Sequence, residues 1–273
     1  MPPPRPASPK PRGVLHPQLN HGQFEHARRV PTPPLAPFVE HYWCVRWDLT
    51  GQPPQLQETL PHPNVHLVLE RDEARIWGVH SGRFSRWLEG RGTVFGVKFA
   101  VGGFYPLLRR PVALLSNRSM PAAPLLDRAI DAAARQLPQC DDIDAMVDRV
   151  QPILLAAMPT PDPQGARVRA LVQSIAHDST LTTVTELGRR HGIDQRNLQR
   201  LFRTYVGASP KWTINRYRLH EAIERLQSGA PPAWTELALA LGYYDQAHFI
   251  RDFRRLVGRA PASYLQQLSV AGD

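Results

Sequence analysis

An internal repeat in the last third of the chain limits most strongly what it can fold into. Displaced by 51 residues, the segment 194–210 falls on 245–261, and eight of the 17 positions are identical: Asp194, Gln195, Arg200, Phe202, Arg203, Val206, Gly207 and Pro210. Upstream the offset drops to 50, where Glu186-Leu187 meets Glu236-Leu237 and Gly192 meets Gly242. Repetition at this period signals a duplicated supersecondary unit.

Each copy reads as helix, tight turn, helix. In the first, Val184, Leu187, Leu198, Leu201 and Phe202 stand at helical spacing on either side of Gly192. That glycine can take positive φ and end a helix, and Asp194 can then cap the next one by accepting from free backbone N–H groups. The second copy repeats the plan with Leu237, Ala238, Leu241, Gly242, Asp245, Phe249 and Phe253. Small residues at Gly188 and Ala238 let the paired helices approach closely. The pattern is that of a helix-turn-helix, whose second helix enters the DNA major groove.

The polar faces agree. The first reading helix offers Gln195, Arg196, Gln199, Arg200 and Arg203, and the second offers Gln246, His248, Arg251, Arg254 and Arg255. Arg and Gln make paired hydrogen bonds to guanine and adenine edges. Between the copies, Pro210–Gln227 reads as one long helix that Gly229 and Pro231 end. At ~1.5 Å per residue it makes ~27 Å of spacer, close to one DNA turn of ~34 Å once a body is added at each end. A generic helical bundle with a solvated basic face is the competing reading, and the second copy and the spacer weigh against it.

At these residues the chain resembles the AraC-type family of bacterial transcription regulators. The carriers are the run from Leu237 to Arg255, the tail from Gly258 to Tyr264, Gly207-Ala208-Ser209-Pro210, and Arg218-Leu219. The chain departs from the family pattern at His191, where an apolar residue is usual, and at Asp194 and Asp245, where serine is the usual cap. The resemblance places base-facing positions at Arg196, Gln199 and Arg200 in the first unit, and at Gln246, Ala247, His248, Ile250 and Arg251 in the second. Lys211, Arg203 and Arg254 complete the expected DNA contacts. Because Ala247 and Ile250 cannot hydrogen-bond, the first unit is expected to supply more base specificity. The resemblance implies double-stranded DNA as partner and RNA polymerase where the protein activates transcription. It leaves room for a small-molecule effector in the N-terminal domain without naming one.

The fold class expected is α+β in two domains: a β-rich, barrel- or sandwich-like domain with trailing helices, then an all-α DNA-binding domain. The divisions expected are a disordered Pro-rich tail over 1–28, the β-rich sensory domain over 29–158, a linker over 159–165, and the double helix-turn-helix over 166–268. The net charge of +9 is uneven, with 15 Lys/Arg against 8 Asp/Glu in 165–268 and 18 against 15 in 1–164. The basic excess follows the DNA module, as a phosphate-binding surface requires. Only Cys44 and Cys140 are present, and neither a signal peptide nor a membrane span is evident, so a reducing cytoplasm is expected and no membrane partner.

Candidate strands are Tyr42–Asp48, Val65–Glu70, Ala74–Val79, Phe84–Leu88 and Thr93–Ala100. Helices are predicted over Leu125–Leu137 and Asp141–Ala157. The second has Ile143, Met146, Val147, Val150, Ile153 and Leu154 on one face with no evident partner inside the domain, so a homodimer contact is expected there. The first half also resembles, more weakly, the sensory domains found ahead of some AraC-type modules. The segments carrying that likeness are 35–43, 60–63 and 96–104.

Other chemistry has less support. On a continuous strand His62, His66 and Glu70 would share a face and suit a metal, with His41 and His80 nearby in kind. Pro61 and Pro63 argue against that strand, so no metal and no cofactor are expected. Trp43, Trp47, Trp77, Trp87, Phe95, Phe99, Phe104 and Tyr105 would line an effector pocket or form plain core. Arg71 and Arg109-Arg110 could meet an acidic effector, and Arg83 and Arg86 are either nucleic-acid contacts or a mixed-charge strand edge. Cys44 is either a buried thiol or an alkyl acceptor. The reading is therefore a non-enzymatic regulator. The alternatives are a DNA-binding module fused to a metal-dependent or alkyl-transfer enzyme domain, and an architectural binder without an effector.

Overall fold

The computed structural model describes residues 14–15, 24–228 and 233–270. Among the described residues the chain forms eight strands: β1 (Phe24–Arg29), β2 (Val39–Leu49), β3 (Gln55–Thr59), β4 (His66–Glu70), β5 (Glu73–Trp77), β6 (Phe84–Leu88), β7 (Gly90–Phe99) and β8 (Ser119–Pro121). Six form an antiparallel sheet in the order β1-β2-β7-β4-β5-β8, and β3 pairs with β6. The two sheets do not close into a barrel; the arrangement is sandwich-like. Register sets the faces. Cys44 lies opposite Phe95, and Leu67 opposite Val97, so these side chains point to one core. Trp47, Leu49 and Val94 point the other way and pack with Leu88 of the small sheet.

The trailing helices are α1 (Tyr105–Leu108), α2 (Ala123–Leu126), α3 (Ala129–Gln136) and α4 (Ile143–Ala157). The helix expected over Leu125–Leu137 is split, because Asp127 takes φ 70° and its carboxylate then caps Ala129 N–H at 2.9 Å. The amphipathic face of α4 corrects a second expectation. Ile143, Met146, Val150 and Leu154 all belong to the core under the six-stranded sheet, so the face read as a dimer contact has its partner within the domain. Burying each is worth ~1.5–3 kcal/mol. α4 runs through Pro152 as a helix, and Asp142 caps it.

Among the described residues seven helices follow: α5 (Pro163–His177), α6 (Val184–His191), α7 (Gln195–Tyr205), α8 (Pro210–Gln227), α9 (Trp234–Ala240), α10 (Gln246–Val257) and α11 (Pro261–Val270). The stretch read as a linker is partly helix. Asp162 accepts from Gln164 N–H at 2.8 Å and Pro163 stands in the first turn, so α5 begins inside it. Gly165 lies so close to Gly102 that a Cβ on it would come within 2.6 Å of the Gly102 carbonyl oxygen. The Gly229 and Pro231 expected to end α8 lie outside the described residues, and so does most of the segment 1–28. The described parts of that segment are structured. Residues Phe24 to Arg28 belong to β1, whose mixed polar sequence hid its pairing with β2. Leu15 is buried beside α8 and α11, its carbonyl accepting from the Tyr264 hydroxyl at 3.0 Å.

Two cores serve the C-terminal helices. One gathers Val168, Leu171, Leu187, Leu198, Leu201, Phe202 and Ile214, and the other Leu219, Ile223, Leu226, Leu237, Phe249, Phe253 and Tyr264. α8 contributes to both, which joins the two units along one rigid element. No helix among the described residues is long and apolar enough to cross a membrane.

Candidate nucleic-acid interface

Local chemistry fixes each helix pair as the sequence suggested. Gly192 takes φ 62° and ends α6, and the Asp194 carboxylate accepts from Asn197 N–H at 2.9 Å to start α7. That hydrogen bond holds Asp194 below the ordinary carboxylate range. In the second unit Gly242 takes φ 79° and Asp245 accepts from His248 N–H at 2.7 Å, starting α10. Aspartate thus does the work of the serine cap in both units. The small residue at Gly188 is needed: a Cβ there would meet the Ile193 carbonyl oxygen at 2.6 Å.

The two reading helices bury one stripe and expose another. α7 buries Leu198, Leu201 and Phe202 and presents Gln195, Arg196, Gln199, Arg200 and Arg203 to solvent. Arg200 lies 3.3 Å from the Asn197 side-chain oxygen, a contact to an exposed neighbour that leaves its remaining donors facing outward. α10 buries Phe249, Phe253, Leu256 and Val257 and exposes Ala247, Arg251 and Arg254. Three of its expected readers are less free. Gln246 accepts from the Thr235 hydroxyl at 3.0 Å, the His248 ring stands edge-on to Tyr243 at 5.2 Å, and Ile250 packs against the second core. Lys211 is exposed in the first turn of α8.

A helix-turn-helix family model matches residues 187–267, and one for a domain of unknown function (DUF6597) matches residues 27–121. Over 81 residues the chain is 36% identical to the HTH-type transcriptional activator RhaS of Pectobacterium carotovorum, covering 30% of this chain and 29% of that protein. Over 79 residues it is 37% identical to the HTH-type transcriptional regulator GlxA of Rhizobium meliloti, covering 29% and 24%. The matched segment therefore spans under a third of these relatives. Among solved structures, ToxT of Vibrio cholerae is similar at a TM-score of 0.39 and 12% identity, over 90% of this chain and 99% of that one.

Residues 187–267 form a helix-turn-helix domain. Its duplicated units, shared helix α8 and exposed basic stripes are the parts such a domain needs to bind DNA. Around it, the other constellations of the sequence do not assemble. His62 stacks on His220 of α8 with centroids 3.9 Å apart, His66 Nδ1 lies 3.3 Å from Trp43 Nε1, and Glu70 pairs with Arg86. The metal triad is thus dispersed over three different partners. Burial pushes the Cys44 thiol up to about 11, so at neutral pH it is a thiol and not the thiolate an alkyl acceptor requires. Phe95, Phe99 and Phe104 are core, Trp43 and Trp47 lie on the opposite face of the sheet, and Trp77 and Trp87 are exposed, so the aromatics do not converge on one cavity.

Sequence reasoning missed a second set of residues, which join the β-rich domain to the helix-turn-helix domain. Arg216 of α8 is buried, and burial pulls its guanidinium down to about 10. It donates to the Ser81 carbonyl at 2.5 Å and lies over the Trp212 ring at 4.6 Å. Arg83 ion-pairs with the buried Glu58 at 2.8 Å, and Arg259 of the second unit lies 3.4 Å from the same carboxylate. A signal for Arg216 was present: it stands at helical spacing with Trp212, Thr213, Leu219, His220 and Ile223, a stripe too apolar to be solvated.

Proposed function

We propose that the protein is a sequence-specific DNA-binding transcription regulator that lays α7 and α10 into successive major grooves. The observation that carries this is the pair of capped helices built on one 18-residue spacer, each presenting arginines outward from an apolar stripe that roots it. Arg196, Gln199 and Arg200 are the base readers of the first unit, with Gln195 and Arg203 beside them. In the second, Arg251 is the main reader, flanked by Gln246, Ala247 and His248. Arg254 and Lys211 meet phosphate, which positions the helices without conveying sequence. Ile250 is withdrawn from the reading set toward a rooting role, since its side chain is partly occupied by the core.

The reading is of a binder and not an enzyme; the raised Cys44 thiol and the dispersed His62, His66 and Glu70 support it. It acts in the cytoplasm on double-stranded DNA, with RNA polymerase as a further partner where it activates and the β-rich domain as the seat of any small-molecule effector. The test uses matched and scrambled duplexes at two salt concentrations. Lys211→Ala is expected to weaken both duplexes alike and lower the salt slope by about one counterion. Equal affinity of the wild-type protein for both duplexes would overturn the proposal.

A further inference from the structure

Among the contacts between the β-rich domain and the helix-turn-helix domain, two fall at the same place in the repeat. Val206-Gly207 at the end of α7 and Val257-Gly258 at the end of α10 are equivalent residues, 51 apart. Both glycines take positive φ, 90° and 89°, and end the reading helices. The Ser116 hydroxyl donates to the Gly207 carbonyl, with Val112 packed on that glycine. Arg83 Nη1 donates to the Val257 carbonyl at 2.6 Å, and its guanidinium fills the space that a Cβ on Gly258 would need. A donor at a helix C-terminus can hydrogen-bond the last carbonyls, and a cation there is favoured by the helix dipole. A further contact lies at the middle of the spacer, where Arg216 of α8 reaches the Ser81 and Gly82 carbonyls at 2.5 and 3.4 Å.

These anchors belong to one rigid piece. The Asn117 side-chain oxygen accepts from Ser81 N–H at 2.8 Å and from the Ser81 hydroxyl at 3.0 Å. Asn117 N–H bonds the Val79 carbonyl at 3.0 Å, and Gly78 N–H bonds the Arg118 carbonyl at 3.0 Å. The loop holding Arg83 and the loop holding Ser116 are therefore stitched together behind the contact surface. Arg83 is further fixed by Glu58, itself buried and bonded by the Ser85 hydroxyl at 3.0 Å.

We infer that this bracket, formed by residues 79–83 and 112–118, sets the distance and phase between the two reading helices and so selects the spacing between the two half-sites. It rests on the reading of α7 and α10 as DNA-reading helices. α8 alone leaves its own bending as the soft coordinate between the units; anchors at both reading helices and at the spacer's middle triangulate that coordinate. Arg83 and Ser116 are positioning residues: they stand at the far ends of the reading helices from the caps and act on DNA only through them. Spacing selectivity is a difference of affinities, so it responds to stiffness even when the best site is bound equally well.

The test uses the full chain and duplexes derived from the site the wild-type protein selects, with the half-sites held constant and the spacer lengthened or shortened by one and two base pairs. Wild-type protein is expected to bind the shifted duplexes at least roughly tenfold more weakly, because each base pair rotates the second groove away. Arg83→Ala, Ser116→Ala and Asn117→Gly should each reduce that penalty by roughly threefold or more while changing affinity for the selected spacing less. Asn117→Gly touches neither unit and keeps its positive φ of 58°, so it carries the test if Arg83→Ala fails to fold. Arg83→Lys should restore much of the discrimination. An unchanged spacing penalty in all three folded variants overturns the bracket. A wild-type protein indifferent to half-site sequence overturns the DNA-reading proposal instead, so the two failures are distinguishable.

Discussion

The two helix-turn-helix units share a plan and differ in how they are held. Both keep the capping aspartate, the turn glycine, a buried phenylalanine and the terminal Val-Gly. The first unit adds a side-chain cap on its leading helix, with Thr183 accepting from Glu186 N–H at 3.2 Å. The equivalent residue before α9 is Ala233, which has no side-chain cap. The first core is mostly aliphatic, whereas the second runs through a chain of rings. Tyr243 meets Phe249 at 5.3 Å, Phe249 meets Phe253 at 5.7 Å, and Phe253 meets Tyr264 at 5.8 Å. The outward faces differ as well, since Ala247 and Ile250 stand where the first unit has Arg196 and Gln199. Duplication has kept what makes the turn and the helix end, and left the reading face free to diverge.

The largest expected effect probes whether the cores are separable. Phe202→Ala and Phe253→Ala each remove a fully buried ring and should cost ~3–5 kcal/mol. Hydrogen exchange on Phe253→Ala should lose protection first in α9 to α11; equal loss throughout α5 to α11 would show that the units unfold as one body. Next comes the reading face. Arg200→Ala should cost ~1–3 kcal/mol at one base pair and relax preference there. Arg251→Ala should do so less sharply, and the reverse order would assign specificity to the second unit. Smaller still is the missing cap: Ala233→Thr gives α9 what Thr183 gives α6 and should stabilise the second unit by up to ~1 kcal/mol, read by thermal melting.

The smallest effect is electrostatic. Glu186, bonded by Arg189 and then Arg190, is held at about 2 against an ordinary 4.5. Asp178, bonded by Thr180 and then Arg190, is held at about 2 against 3.8. Folded values below unfolded ones contribute stability that is present above about pH 4.5 and lost as pH falls toward 2. Arg190→Ala should therefore melt slightly below wild type at neutral pH, and the difference should close between those values. A gap that persists below pH 2 would mean Arg190 acts through packing.

The helix-turn-helix domain was largely legible because its signals are local. A glycine and an aspartate fix each turn, and the spacer helix runs over Pro210–Gln227 as its apolar spacing predicts. The β-rich domain was legible only where strands are apolar. β3 (Gln55–Thr59) is nearly all polar, and its identity comes from pairing with β6. The partner of α4 was invisible because a sheet face formed by residues 42–99 has no mark at 143–154. The bracket was hidden for the same reason: Arg83 reads as one more strand-edge charge until Val257, 174 residues away, supplies its acceptor.

Selection of binding sites from a random DNA pool by the full chain tests the central claim most directly. The account predicts a bipartite motif whose half-sites lie about one helical turn apart, with the stronger base preference in the half that Arg200→Ala relaxes. Enrichment of a single half-site, or none above background, would contradict it.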